Sequence, residues 1–388
     1  MKLPSLPSRR SSVAPFMAMD VLRDAKALER AGRNIIHLEL GEPGVAAPRR
    51  VREAAAESLR HGFIGYGEAL GDAELRSRIA RHYSERYGID VSPDRIIVTT
   101  GSSGGFLLAF LAAFDPGARI ALTAPGYPAY ANILSALGLE PVLLDVDEET
   151  RFAPTAAMLE AAHRDRKVHG ALFMSPANPT GAMIARNELA RICAFCDEAG
   201  IVFVSDEIYH GLEYERRAET ALRFSQRALV INSFSKYYAM TGWRLGWLVA
   251  APELMRSLER LQQSLAICAP TLSQRAALAA FDASDELEAN RAAYARNRAL
   301  LLDRLPQLGL DKFAPPDGAF YIYADVSRFT DDSIGFCKRM LREAGVATTP
   351  GVDFDPRRGA KTLRISYAGA AADVAEGVER LEAWLVGL

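Results

Sequence analysis

The chain has 388 residues, 49% of them apolar and 24% charged, with a formal net charge of -2. That balance fits a globular protein with a large core organised in two units, and it excludes a disordered tail and a coiled coil. Acids and bases are interspersed, so no basic field points to nucleic acid and no polybasic stripe to a membrane surface; the expected partners are small molecules.

At the N-terminus Arg9-Arg10 stand in an acid-free stretch, but no apolar signal core follows them, and an arm of the folded protein is expected there. No run of about 18 apolar residues is present to span a bilayer. A cytoplasmic location is the default expectation, consistent with four cysteines that form no disulfide framework.

Short β-branched runs then alternate with helical patterns: Ile96-Thr100, Ile120-Thr123, Pro141-Asp145, Ala171-Ser175, Ile201-Asp206, Ala228-Ser233 and Leu245-Ala250. This rhythm predicts a mainly parallel sheet covered by helices. Gly65-Tyr-Gly-Glu-Ala-Leu-Gly71 misses the dinucleotide fingerprint, because Leu70 occupies the third glycine position and no strand precedes it. Gly101-Ser-Ser-Gly-Gly105 follows a strand and opens a helix without a Gly-Lys-Ser/Thr, which suits a phosphorylated cofactor other than a nucleoside triphosphate. Cys193 and Cys196 continue an apolar helical stripe with Leu189 and Ile192 and have no second pair nearby, so they read as core thiols and no metal is expected.

Beyond Ala250 the pattern becomes helical through Pro252-Ile267, Leu272-Phe281 and a long charged segment over Asp285-Leu305. Phe320-Val326 and Leu363-Tyr367 read as strands, with amphipathic helices over Ser333-Gly345 and Ala371-Leu388. The expected division is an arm and part of a small domain over 1–44, a large domain over 45–285 and a small α+β domain over 286–388, with the arm returning to pack on the last.

In open α/β sheets ligands sit outside the carboxyl ends of strands. Five such exits carry polar or aromatic groups that one molecule could touch together: Gly101-Ser-Ser103, Pro125-Gly-Tyr127, Ser175-Pro-Ala-Asn178, Asp206-Glu-Ile-Tyr209 and Ser233-Phe-Ser-Lys236. Lys236 lies in an apolar, aromatic segment with Arg244 close by, and burial and a cationic neighbour are what lower a lysine pKa and make its amine a nucleophile.

With Leu40-Gly41-Glu42-Pro43, Tyr66, Gly71-Asp-Ala-Glu-Leu-Arg76, Asn178-Pro-Thr-Gly181, Gly242-Trp-Arg244 and Arg364-Ile-Ser-Tyr367 added in order, the chain resembles the class I aminotransferases over nearly its whole length. These are pyridoxal 5'-phosphate (PLP) enzymes of fold type I. The resemblance implies a mainly parallel seven-stranded sheet sandwiched by helices in the large domain, beside a smaller α+β domain. It further implies that Lys236 binds PLP covalently and then acts as general base and acid at the substrate α-carbon, and that Asp206 keeps the pyridine nitrogen protonated. Asn178 and Tyr209 would hydrogen-bond the phenolic oxygen, and Tyr127 would stack on the ring. Ser103, Gly104, Ser233, Ser235 and Arg244 would hold the phosphate, joined by Tyr66 from the neighbouring subunit of a homodimer with shared sites. Arg364 would grip the substrate carboxylate bidentately, with Gly41 and Asn178 beside it. Trp243 and Phe320 are expected to pack around the site.

The reaction implied is ping-pong transfer of an α-amino group from an amino acid to a 2-oxo acid. A β-lyase or other α-carbon chemistry is the alternative on the same fold. A PLP-sensing transcription regulator is disfavoured because no basic helical module precedes Gly41, and a nucleotide-binding protein without PLP would leave Lys236 and Asp206 unexplained. Two positions depart from common family patterns: Gly41-Glu-Pro-Gly-Val45 stands where many relatives have Gly-Glu-Pro-Asp-Phe, and Ser103 stands where some aspartate aminotransferases carry a lysine. A dicarboxylate preference is therefore not expected unless another basic residue supplies it.

Overall fold

The computed structural model describes residues 7–387. The first six residues of the expected arm, and Leu388 at the end of the last expected helix, lie outside the described residues. The strands are β1 (Ile36–His37), β2 (Ile96–Thr99), β3 (Arg119–Ala124), β4 (Glu140–Asp145), β5 (Gly170–Met174), β6 (Val202–Asp206), β7 (Leu229–Ser233), β8 (Gly246–Val249), β9 (Tyr321–Asp325), β10 (Val346–Ala347), β11 (Thr349–Pro350) and β12 (Thr362–Ser366). The helices are α1 (Met17–Arg30), α2 (Arg49–His61), α3 (Ala73–Tyr87), α4 (Gly101–Ala113), α5 (Pro128–Leu137), α6 (Ala156–Asp165), α7 (Arg186–Ala199), α8 (Pro252–Leu265), α9 (Thr271–Leu278), α10 (Ser284–Gln307), α11 (Ser333–Glu343) and α12 (Ala371–Leu385).

β2, β8, β7, β6, β5, β3 and β4 form a seven-stranded sheet in that order. β8 is antiparallel to both of its neighbours, β2 and β7. The other pairings are parallel. Central strands β5 and β7 are buried at every position, as a sheet covered on both faces requires, and this is why β5 and the first three residues of β7 read as continuous apolar runs rather than alternating ones. A second sheet joins β11, β12 and β9 antiparallel, and β1 pairs in parallel with β10, which ties the N-terminal segment to the C-terminal part of the chain.

Helix ends follow local chemistry. Asp72 caps α3 by accepting from the amides of Glu74 and Leu75, and Gly88 ends it in the left-handed region. Pro128 opens α5 and Pro252 opens α8 at the first turn, where a missing N–H costs nothing. On α7 the buried stripe is Leu189, Ile192, Cys193 and Cys196, as the helical spacing predicts. Burial pushes the Cys193 thiol up to about 12, so it behaves as a core side chain rather than a reactive one. The sheet sets the site: β2, β3, β5, β6 and β7 run in one direction, and their carboxyl ends share one edge.

Candidate active site

A cavity of about 290 Å³ opens at that edge. Gly41, Ser103, Tyr127, Asn178, Asp206, Tyr209, Ser235, Lys236, Arg244 and Arg364 all line it, so ten residues selected in the sequence converge from distant segments. Three others do not reach the wall. The Ser233 hydroxyl is turned inward, 3.0 Å from the Leu245 carbonyl and 2.9 Å from the Ser235 hydroxyl, which makes it a support for Ser235. Gly104 sits within α4, one residue beyond Ser103. Tyr66 is 83% exposed and lines a separate surface depression with Phe63, Ile64 and Cys268.

Lys236 follows β7 and donates from Nζ to the Gly41 carbonyl at 2.5 Å. Its amine faces the cavity, yet the protein around it keeps bulk water away. That burial, reinforced by Arg364 and Arg244 and opposed by Glu42, lowers its pKa to about 8. Asp206 ends β6, where Oδ1 accepts from the Ile208 amide at 3.0 Å and Oδ2 accepts from the Tyr130 hydroxyl. Burial raises its pKa to about 7 against those two hydrogen bonds and the pull of Lys236. Its carboxyl therefore wants a cationic partner that the described residues do not supply within ion-pair distance.

Arg364 on β12 is 2% exposed and pairs with no carboxylate among the described residues. One guanidinium nitrogen donates to Asn178 Oδ1 at 2.8 Å, another to the Glu39 carbonyl and to Thr349 Oγ1, and Nε is left without a partner. Its plane lies between the rings of Tyr321 and Phe354, at 4.5 and 4.7 Å from their centroids. A buried, pre-oriented guanidinium without a counter-ion is an anion site. By accepting from Arg364, Asn178 is left with its amide N–H groups free to donate into the cavity.

Gly101 opens α4 at φ +66°, and a Cβ there would meet Arg244 Nη2 at 2.6 Å, so the glycine admits both the turn and the guanidinium. Arg244 itself holds φ 52° and donates from Nη1 to the Thr241 carbonyl. The N-terminus of α4, Ser103, Ser235 and Arg244 meet on one stretch of the cavity wall.

Sequence reasoning missed Tyr130, Tyr321 and a group of apolar side chains. Phe16, Met19 and Leu22 from the start of α1, with Leu40 and Ile133, form an apolar part of the cavity wall. Phe16 meets the Tyr127 ring edge-on at 5.9 Å, and Asp353 accepts from the Met17 and Ala18 amides, so the arm is fixed over the opening. Tyr130 and Tyr321 look like core aromatics in the sequence. The only signal available was position, on the first turn after Tyr127 and directly after Phe320. Among the described residues the cations of the wall are Lys236, Arg244 and Arg364, with no further basic side chain for a second substrate carboxylate.

Residues 33–381 match the family described as aminotransferase class I and II. The chain is 50% identical over 380 residues to a valine–pyruvate aminotransferase of Mycobacterium tuberculosis, covering 97% of each protein. It is 37% identical over 385 residues to a (5-formylfuran-3-yl)methyl phosphate transaminase of Methanocaldococcus jannaschii, covering 98% of this chain and 99% of that one. In structure it resembles an aminotransferase from Mycobacterium tuberculosis at a TM-score of 0.96 and 49% identity, over 99% of this chain and 100% of that one. Among the described residues no helix is long and apolar enough to cross a membrane.

Proposed function

The chain belongs to the class I and II aminotransferases, and on that footing we propose that its cavity seats pyridoxal 5'-phosphate and transfers the amino group of an aliphatic amino acid. Transamination of amino acids is the activity of the family and of this chain, and the β-lyase alternative is not favoured. The carrying observation is a set of charged groups at one cavity that have no counter-ion within ion-pair distance among the described residues: Lys236, Asp206 and the Arg364 guanidinium with its unpartnered Nε.

These residues fit the cofactor. Ser103, Ser235 and Arg244 would hold its phosphate, Tyr127 would cover its ring, Asp206 would meet its ring nitrogen, Asn178 and Tyr209 would meet its phenolic oxygen, and Lys236 would attach it. Once bound, the cofactor supplies an electron sink for the carbanion formed at the substrate α-carbon. The buried Asp206 carboxyl, raised to about 7 when alone, would be lowered by a cation beside it and would keep that ring nitrogen protonated. Arg364 fixes the substrate carboxylate in two places, which sets the α-carbon within reach of Lys236. With a pKa near 8, Lys236 Nζ is unprotonated in a useful fraction at neutral pH, takes the α-carbon proton and later returns a proton. Phe16 and α1 keep water out of the pocket during these transfers.

The side chain of the substrate faces Phe16, Met19, Leu22 and Ile133, and no free cation stands among them. That wall favours a short aliphatic group and penalises a second carboxylate, in keeping with the valine–pyruvate relative. Phe63 and Tyr66, 89% and 83% exposed, line a depression with Ala266 and Cys268, whose chain neighbours Leu265 and Ile267 are 52% and 46% exposed, on a face that suits coverage by a second copy. We place Tyr66 on the partner's phosphate in a homodimer with shared sites.

Borohydride reduction of the PLP-loaded protein, followed by peptide mass mapping, tests the seating. The expected result is a single pyridoxyl label on the peptide containing Lys236; a label elsewhere, or none, overturns it.

A further inference from the structure

Tyr321 opens β9 with its side chain 1% exposed, and in the cavity it meets Tyr209, Arg364 and Gly41. Its hydroxyl lies 2.6 Å from the Tyr209 hydroxyl. Its ring lies under the Arg364 guanidinium at 4.5 Å, a diagonal contact across the pairing of β9 with β12, in which Tyr321 stands opposite Ser366 and Tyr323 opposite Arg364. A Cβ added at Gly41 would fall 1.8 Å from the Tyr321 hydroxyl oxygen, so the absence of a side chain at Gly41 is what makes room for that hydroxyl. The Gly41 carbonyl in turn accepts from Lys236.

Two hydroxyls in contact have two protons to place. If Tyr209 gives its proton to the cofactor's phenolic oxygen, its lone pair is left to accept, and Tyr321 is the donor that faces it. A donated hydrogen bond polarises the acceptor hydroxyl and strengthens its own donation. We infer that Tyr321 is a positioning residue that orients and strengthens the Tyr209 hydroxyl through its own, and holds Arg364 in plane through its ring, joining substrate recognition to cofactor tuning in one side chain. The inference rests on the proposed seating of PLP.

The groups facing the two hydroxyls are Arg364 and Tyr127, with Lys236 over the Tyr209 ring, Tyr130 near Tyr209 and Tyr367 behind Tyr321, and with Glu42, Asp206 and Arg244 further round the wall near Lys236. Tyr321→Phe changes none of these and keeps the ring, so it isolates the hydroxyl. Donation from Tyr209 favours the deprotonated phenolic oxygen, so weakening it raises the pH at which the visible band of bound PLP titrates. The expected shift in Tyr321→Phe is about half a pH unit upward, with the amino-acid KM changed less than about twofold. Tyr321→Leu, which also removes the ring, is expected to raise that KM about tenfold.

The experiment is a spectroscopic pH titration of the PLP-loaded unsubstituted protein and both variants, with KM measured alongside. An intact band whose midpoint does not move in Tyr321→Phe overturns the hydroxyl coupling, and an unchanged KM in Tyr321→Leu overturns the hold on Arg364. No visible band in the unsubstituted protein overturns the seating itself, and with it this inference.

Discussion

Arg364 is buried and Arg86 is largely covered, with a fifth of its side chain exposed, and the two guanidiniums differ in what answers their charge. Arg86, at the end of α3, donates from Nη2 to both oxygens of Glu213 at 2.7 and 3.0 Å and from Nε to the Tyr87 hydroxyl. Glu213 also accepts from the amides of Gly211 and Ala218, and Tyr87 contacts His210, whose Nε2 donates to the Ser175 carbonyl. Every charge there is matched by protein, and the cluster braces the loops that carry Tyr209 and Asn178. Arg364 is answered only by neutral oxygens and two aromatic faces, with Nε unused. Evenly matched buried charge is structure, whereas unmatched buried charge beside a void is a place kept for a ligand.

The comparison predicts effects of different kinds. The largest is at the unmatched amine: Lys236→Ala should lose at least about four decades of turnover, measured as kcat at saturating substrate, while folding normally. At the matched cluster, Arg86→Ala strands the Glu213 carboxylate, and chemical denaturation should show a loss of about 3 kcal/mol, with KM unchanged. At the unmatched guanidinium, Arg364→Lys keeps the charge but not the fork, and kcat/KM for the amino acid should fall about 100-fold with stability little altered.

pH separates the regions as well. A lysine whose folded pKa is lowered to about 8 is protonated below that value and nucleophilic above it. Covalent PLP uptake by the cofactor-free protein should therefore accelerate about tenfold per pH unit up to about 8 and level off above it, as followed by the growth of visible absorbance. A plateau reached only near the ordinary lysine value of 10.5 would show that Lys236 is not held as described. The smallest effect is expected at Ser103→Ala, which removes one of several phosphate donors and should weaken PLP binding about fivefold by equilibrium titration.

Much of this was legible in the sequence because the chemistry needs particular residue types. Lys236, Asp206, Asn178 and Arg364 stand at strand exits or within motifs, and the seven strands of the large sheet appear as β-branched runs within a residue or so of their observed ends. What was hidden depends on orientation. Ser233 and Ser235 are alike in the sequence, yet one hydroxyl turns into the fold while the other lines the cavity. Tyr130 and Tyr321 are indistinguishable from core aromatics until the fold aims their hydroxyls at Asp206 and Tyr209. The apolar wall is assembled by docking α1, far away in the chain, over Tyr127 and Asp353, and no local pattern encodes that contact. α10 runs past its expected end at Leu305, through Pro306 to Gln307, although a proline disfavours helix there.

The most direct test of the account is a single-turnover absorbance experiment on the PLP-loaded protein, mixed separately with valine and with aspartate in the absence of any 2-oxo acid. Valine should discharge the visible band stoichiometrically, pyruvate should restore it, and aspartate should react far more slowly. Faster discharge by aspartate, or a band that persists while ammonia accumulates, would contradict a cavity whose three cations are already committed and whose remaining wall is apolar.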